Sequence, residues 1–209
     1  MTQETNSQAY EKFAGLCALL VGLSGIGYAV AFIVLLLGGV APGPGALLSS
    51  LFLLLGGLLT PAVLAALYHH LKHVDAGFSL LGLLLSAVGA VGAAIHGGYD
   101  LANALHPPAV LAGDLPNPVD PRGLLTFLSA GLGLLVIAWL MARSPRFPKG
   151  PAVLGGVSAL LMVILYLGRL VVLNPKSPAI LAPALLNGFL VNPAWYVWVG
   201  ASLWPKRKP

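Results

Sequence analysis

Residues 78–103 read FSLLGLLLSAVGAVGAAIHGGYDLAN, an apolar run whose end carries four polar side chains. In an α-helix, positions i, i+3, i+4 and i+7 lie along one face. Four residues of this run have that spacing: His96, Tyr99, Asp100 and Asn103. Ionisable side chains are costly in lipid and usually face the interior of a helix bundle or water. We therefore predict that this polar face is the centre of the protein's function.

The composition of the whole chain indicates a membrane protein. Of its 209 residues, 58% are hydrophobic and only 8% are charged, and the mean hydropathy is +0.91. Soluble domains carry about 25% charged residues, so this chain has too few charges to cover a water-soluble surface. Several apolar runs also reach the ~20 residues that cross a bilayer. We predict an all-α fold, with residues 1–209 forming a single transmembrane domain.

Proline and glycine divide the chain into six predicted transmembrane helices. Residues 41–45, APGPG, form a predicted turn, because Pro lacks a backbone donor and Gly accepts positive φ. The one long connection, residues 106–122, contains five prolines and is expected to fold over one end of the bundle. The predicted helices are residues 13–40, 46–71, 77–105, 123–142, 152–173 and 179–203.

The distribution of Lys and Arg predicts the orientation, since short cytoplasmic loops carry an excess of both. Six spans place both termini and the second and fourth loops on one side of the membrane. Arg122 and Lys176 lie on the opposite side. We therefore expect a multi-pass protein of the plasma (inner) membrane, with both termini in the cytoplasm and the long Pro-rich loop outside. The net charge of +5 follows from this topology, and we expect no nucleic-acid partner. Eight basic residues lie on the side of the termini: Lys12, Lys72, Arg143, Arg146, Lys149, Lys206, Arg207 and Lys208.

Depth along the predicted helices groups further polar residues with the His96 face. Arg169 is 17 residues into the fifth predicted helix, about 25 Å at 1.5 Å per residue, which matches the height of Asp100. Asn187 is expected about 13 Å below the outer surface. We predict a ligand pocket in the outer half of the bundle; the alternative is a structural Asp100–Arg169 pair that fixes helix register. The candidate ligand-binding residues are His96, Tyr99, Asp100, Asn103, Tyr166, Arg169 and Asn187.

Three functions fit this predicted pocket. The favoured one is non-catalytic binding of a small amphiphile or a membrane lipid. The second is a membrane enzyme that acts on a lipid, with His96 as a base oriented by Asp100, although no further catalytic motif accompanies the pair. The third is an accessory subunit of a larger membrane complex, or a homo-oligomer. It rests on small residues at spacing four in residues 82–98, which let helices approach closely.

The histidines predict neither a metal site nor a haem site. His69 and His73 have the i, i+4 spacing that can present two imidazoles to a metal, but Asp75 is the one carboxylate near them. His96 lies toward the opposite end of the bundle, so it cannot share a haem with them. We predict no cofactor, and the catalytic residues, if any, stay unassigned.

Two segments of the chain resemble each other around a proline. Residues 56–62 read GGLLTPA and residues 188–194 read GFLVNPA, and each proline is expected to kink its helix. Duplication and two unrelated prolines both explain the similarity. The aromatic residues that follow are predicted to lie in the interfacial belt of the membrane, with an aromatic-lined inner cavity as the alternative: Trp195, Tyr196, Trp198 and Trp204.

Three stretches resemble a family of bacterial six-helix integral membrane proteins that has no established activity. They are residues 12–16 (KFAGL), residues 68–81 (YHHLKHVDAGFSLL) and residues 143–148 (RSPRFP), the last followed by Gly155 and Tyr166. The resemblance implies a six-helix membrane fold over most of the chain. Residues 96–100 have no match in that pattern, so it implies nothing about the polar face.

Overall fold

The structure, a computed structural model, describes residues 2–107 and 123–204. Within these ranges it is helical without strands, and six helices are long and apolar enough to cross a membrane. The predicted all-α transmembrane fold is thereby confirmed. The helices are α1 (Thr2–Ala29, continued by the π-helix Val30–Leu37), α2 (Pro42–Leu71), α3 (Ala76–Leu105), α4 (the π-helix Leu124–Ser129, then Ala130–Arg143), α5 (Lys149–Val171) and α6 (Pro178–Leu186, the π-helix Asn187–Val191, then Asn192–Leu203).

The six helices form a closed ring. Each helix packs on the next one along the chain, and α6 completes the ring by packing on both α5 and α1. Further contacts join α2 to α4. Since no helix occupies the middle of the ring, its interior must be filled by side chains or stay open.

Apolar side chains fill the interior at the end of the ring where both termini lie. Leu67 and Leu71 of α2, Leu140 of α4 and Leu203 of α6 are at most 1% exposed there. Cys17 of α1 is buried in the same core. The ring is therefore closed by hydrophobic packing at the end that carries the termini.

The outer surface of the ring is apolar. Large hydrophobic side chains such as Leu23, Leu58 and Val153 are more than half exposed along the helices. Burying such a surface against lipid instead of water is the physical reason that a chain with these six helices spans a membrane. The protein is a multi-pass membrane protein.

Small residues let α3 approach two neighbours at once. A Cβ atom on Gly57 of α2 would lie 2.5 Å from the backbone nitrogen of Ala94, and one on Gly133 of α4 would lie 2.5 Å from the backbone nitrogen of Ser86. Gly82 and Ala90 belong to the same two contacts. The small residues predicted in residues 82–98 thus serve packing within the chain, apart from Gly98, which has no comparably close neighbour.

Two helices begin at least four residues earlier than their predicted bounds. α1 begins at Thr2 rather than residue 13, because its polar first turns continue the helix outside the apolar segment that hydropathy detects. In these turns the Glu11 carboxylate lies 3.1 Å from Nε2 of His70. α2 begins at Pro42, within the turn predicted for residues 41–45, since Pro is tolerated in the first turn of a helix.

The chain turns between α1 and α2 at Gly39, which has a φ of +70°. Glycine adopts this left-handed conformation at little cost because it has no Cβ atom. α2 continues as an α-helix through Pro61.

The predicted loop 106–122 falls almost wholly outside the described residues, as do Arg122 and residues 206–208 of the basic set.

Candidate functional site

A cavity of about 800 Å³ occupies the ring between the apolar core and the end away from the termini. All six helices contribute to its wall. On α2 the lining runs from Ala46 to Leu64, roughly 27 Å along the helix axis at 1.5 Å per residue. We call the end near Ala46, Asn103 and Arg169 the mouth of the cavity. The cavity is therefore long and lies along the ring axis.

His96, Asp100 and Asn103 line the cavity on α3. His96 Nε2 lies 3.1 Å from Oδ2 of Asp100, one helical turn nearer the mouth. Tyr99 is not part of the lining and is 59% exposed. An α-helix turns about 100° per residue, so Tyr99 points well away from Asp100. The structure thus brings three of the four residues of the predicted polar face to the cavity.

Arg169 and Tyr166 of α5 also line the cavity near its mouth. Nη1 of Arg169 donates a hydrogen bond to the Val172 carbonyl oxygen at 2.7 Å and another to the Leu173 carbonyl oxygen. Both acceptors belong to carbonyls at the end of α5, which have no partner within the helix. Arg169 therefore caps its own helix, and its pairing with Asp100 stays a prediction.

A hydrogen-bonded cluster of uncharged groups lies deeper, where α5 meets α6. The hydroxyl of Ser158, which is fully buried, donates to Oδ1 of Asn187 at 2.9 Å. The Ser158 hydroxyl oxygen also accepts a hydrogen bond from Nδ2 of Asn192 at 3.1 Å. Asn187 and Asn192 both line the cavity. We call these three residues the amide cluster.

A π-helical turn brings the two amides together. Asn187 and Asn192 are five residues apart, which in an α-helix would separate their directions by about 140°. The backbone N–H of Asn192 instead donates to the carbonyl oxygen of Asn187, the i to i+5 bond of a π-helix. This bond places one amide above the other on the same face of α6. Both side chains can therefore reach Ser158.

All three π-helical segments in the described residues contribute to the cavity wall. They provide Ile33 and Leu36 from α1, Phe127 from α4 and Gly188 from α6. π-Helical turns are rare and are found frequently at functional sites. Backbone that departs from the α-helix at membrane depth is tolerated where protein buries it or where it lines a cavity. The irregular segments are thus concentrated around the cavity.

Thr60 and Tyr196 lie near the closed end of the cavity, and both line it. The Thr60 hydroxyl donates to the Gly56 carbonyl oxygen at 2.8 Å, and the Tyr196 hydroxyl lies 3.4 Å from Thr60 Oγ1. Tyr196 also makes an edge contact with Trp195, whose ring centroid is 4.7 Å away. Trp195 is 1% exposed, so its predicted place in the interfacial belt is wrong. It is a core residue because a glycine on α5, Gly155, leaves room for its indole ring.

The cluster of histidines at the other end of the protein is distant from the cavity. His69 and His73 are in ring contact, with centroids 6.3 Å apart. Among the described residues, no group of three or more His, Cys, Asp or Glu side chains could hold a metal ion.

Sequence reasoning missed Ser158, Asn192 and Thr60, and it named Tyr196 only for the alternative of an aromatic-lined inner cavity. Ser158 is one small residue in an apolar helix, and helical periodicity of 3.6 residues places Asn192 away from Asn187. The proline motifs were the available signal, since Thr60 precedes Pro61 and Asn192 precedes Pro193. Both similar segments thus contribute a polar side chain to the cavity one residue before their proline.

Six of the seven candidate residues line one cavity. Their role in binding stays a prediction. The resemblance of the chain to a bacterial six-helix family also stays a prediction. No protein-family model, no curated protein and no solved structure matches the chain.

Proposed function

We propose that this membrane protein binds a small amphiphile or a lipid in its central cavity, without transforming it. The observation that carries the proposal is the cavity itself, which has a volume of about 800 Å³ and is lined by all six helices. Ligand sites in proteins have volumes of roughly 300–1,000 Å³ and are mostly apolar with a few polar groups. The Asp, His and Arg side chains of the described lining, Asp100, His96 and Arg169, lie toward the mouth. Such a division suits a molecule with a polar head and an apolar body.

The site belongs, in this proposal, to the plasma (inner) membrane, with both termini in the cytoplasm. The support is the distribution of Lys and Arg, eight on the side of the termini against two on the other. The apolar core closes the ring at the terminal end. The mouth would then face the outer leaflet, and ligand would enter from there.

A substitution that fills the cavity tests the proposal. Gly56 lies between Leu53 and Thr60 on the lining face of α2, and a Cβ atom there would have no neighbour within 4 Å. Gly56→Phe would therefore place a ring in the cavity. The control is Gly156→Phe in α5, where a Cβ atom is equally free but the position is absent from the cavity lining.

The measurement is native mass spectrometry of each variant, released gently from its own membrane. We expect the wild type and Gly156→Phe to carry a discrete added mass that Gly56→Phe lacks. A bare chain, or a random ladder of lipids on all three, would contradict the proposal. Co-purification of a stoichiometric partner protein in place of a small ligand would favour the accessory-subunit hypothesis.

A second function is favoured by one specific contact. The Asp100 carboxylate holds Nε2 of His96 at 3.1 Å in the cavity wall, the arrangement of a base and its orienting group. A membrane enzyme would lose turnover of the bound molecule in His96→Ala while keeping the molecule itself. Retention of an unchanged ligand by wild type and variant alike argues for binding alone.

A further inference from the structure

The hydrogen-bond capacity of the amide cluster is only partly used within the protein. A serine hydroxyl has one proton, and a carboxamide has one acceptor oxygen and two N–H donors. Ser158 gives its proton to Asn187, so it is the Asn187 oxygen that is occupied. Ser158 then accepts from Asn192, so one N–H of Asn192 is occupied. Among the atoms that this assignment leaves for other partners are the Asn187 amide nitrogen and the Asn192 carbonyl oxygen.

Neither of these two atoms has a hydrogen-bond partner within residues 2–107 and 123–204. Both side chains line the cavity, and Asn187 is only 7% exposed. The Asn187 amide nitrogen is also not sealed off from the cavity. A buried amide group without a partner costs free energy, and more so in an apolar environment. The cluster is thus built to receive a polar group from the cavity.

The uncharged surroundings of the amide cluster restrict the kind of polar group that can bind there. Along α5, Ser158 lies 11 residues from Arg169, roughly 16 Å at 1.5 Å per residue. The described lining next to the amide cluster contributes uncharged side chains such as Leu165 and Ala184. A charged ligand group would lose its hydration there without gaining a counter-charge. An uncharged group avoids this penalty.

We infer that the amide cluster binds an uncharged hydroxyl group of the ligand, so that the bound amphiphile is an alcohol. A hydroxyl accepts a hydrogen bond from the Asn187 N–H and donates one to the Asn192 oxygen, which matches both available atoms. An ether or ketone oxygen can only accept, so it satisfies one of them. Ser158 is a positioning residue, since its hydroxyl group bonds to both amides and thereby holds them in place. This inference rests on the proposed binding function and names its ligand class.

Competition binding in detergent solution tests the inference. Tritiated tetradecanol is the labelled probe, and unlabelled tetradecanol, its methyl ether and tetradecane are the competitors. We expect the alcohol to compete about tenfold better than the ether, the difference that a hydrogen bond of this kind makes, and the alkane to be weakest. The wild-type chain alone gives this result, so the test does not depend on a variant that folds.

Two substitutions assign the preference to the cluster. Asn192→Leu keeps the size of the side chain and removes its carbonyl oxygen, the atom to which a hydroxyl can donate and an ether cannot, so alcohol and ether should compete equally. The control is Asn174→Leu, the same chemical change at an exposed loop residue that is not part of the cavity lining. It should keep the preference for the alcohol. A preference that persists unchanged in Asn192→Leu would overturn the assignment.

The Gly56→Phe variant separates failure of the inference from failure of the proposed function. Equal competition by alcohol, ether and alkane would overturn the inference, and a bridging water in the cluster would give that result. If Gly56→Phe abolishes this unselective binding, the cavity still binds amphiphiles and the proposed function stands. If tetradecanol binds Gly56→Phe as well as it binds the wild type, both proposals fail.

Discussion

Ser158 is fully buried, and its one hydroxyl group serves two carboxamides. These hydrogen bonds join α5 to α6, next to the contact at which α6 closes the ring. In a membrane, hydrogen bonds between helices typically contribute about 0.6 kcal/mol and at most about 2 kcal/mol. A single hydroxyl with two partners belongs to the upper part of this range.

We predict that Ser158→Ala lowers the free energy of unfolding by about 1 kcal/mol, because Asn187 and Asn192 both lose a buried partner. Thermal unfolding in detergent measures the change. Ser202→Ala is the control, since the Ser202 hydroxyl bonds within its own helix to the Trp198 carbonyl oxygen and is exposed. Ser202→Ala should leave the midpoint within error. Equal midpoints for the two variants would show that the amide cluster contributes nothing to stability.

The sequence identified the polar residues of this region unevenly. His96, Asp100 and Asn103 were found because they follow the α-helical period on α3, a regular helix. Asn187 was found by depth, yet its partner Asn192 was missed because the intervening π-helical turn changes the period. Nothing in the residue types of 187–191 predicts that turn. The hydrogen bonds of Asn187 and Asn192 to Ser158, on the neighbouring helix α5, reveal the effect of this turn.

At the scale of elements, neighbouring glycines on α2 have opposite roles. A Cβ atom on Gly57 would meet backbone atoms of α3, at 2.5 Å from Ala94 N and 2.7 Å from Ala90 O. Backbone atoms cannot move aside as a flexible side chain can. A Cβ atom on Gly56 would meet nothing within 4 Å. Of these two adjacent residues, only Gly57 limits how closely α2 can approach α3.

We predict that Gly57→Ala destabilises the fold by about 1–3 kcal/mol, the usual cost of overpacking. Gly56→Ala should change the stability by no more than about 1 kcal/mol, since only helix propensity is altered. Thermal unfolding of both variants in one detergent provides the comparison. A loss of stability in Gly56→Ala equal to that in Gly57→Ala would refute this account of the α2–α3 contact.

The ends of the elements show what hydropathy can detect. It locates the apolar part of α1 but not the polar turns before it, which are held by a pair such as Glu11 with His70. Prolines were expected to end helices, yet Pro42 begins α2, because the first turn of a helix leaves its N–H groups unbonded. The number of spans could be predicted from composition; their first turns could not.

At the scale of the whole molecule, the ring arrangement determines that a cavity exists. Hydropathy counts six spans but carries no information on which helices are neighbours. The contact of α1 with α6 joins segments from opposite ends of the chain, where Gly15 packs against Gly200. A bundle with one helix in its centre would have the same apolar periodicity and no such cavity. The sequence could therefore predict a pocket only through its polar residues.

We predict that the mouth of the cavity faces away from the cytoplasm, because basic residues concentrate at the other end of the helices. Lys176→Cys, in the exposed connection between α5 and α6, should react with a membrane-impermeant maleimide in intact cells. Arg146→Cys, exposed between α4 and α5, should react only after the cells are permeabilised. Labelling in the reverse order would place the mouth on the cytoplasmic side.

Cys17 has a practical consequence for following this molecule in motion. It is the single cysteine of the chain, and only 2% of it is exposed within the apolar core. Thiol reagents in solution do not reach such a side chain, so the unmodified protein takes up no thiol-reactive label. Two cysteines introduced across the mouth would then carry the only spin labels or fluorescent dyes. Their separation could be recorded as an alcohol is added, with every native residue of the core retained.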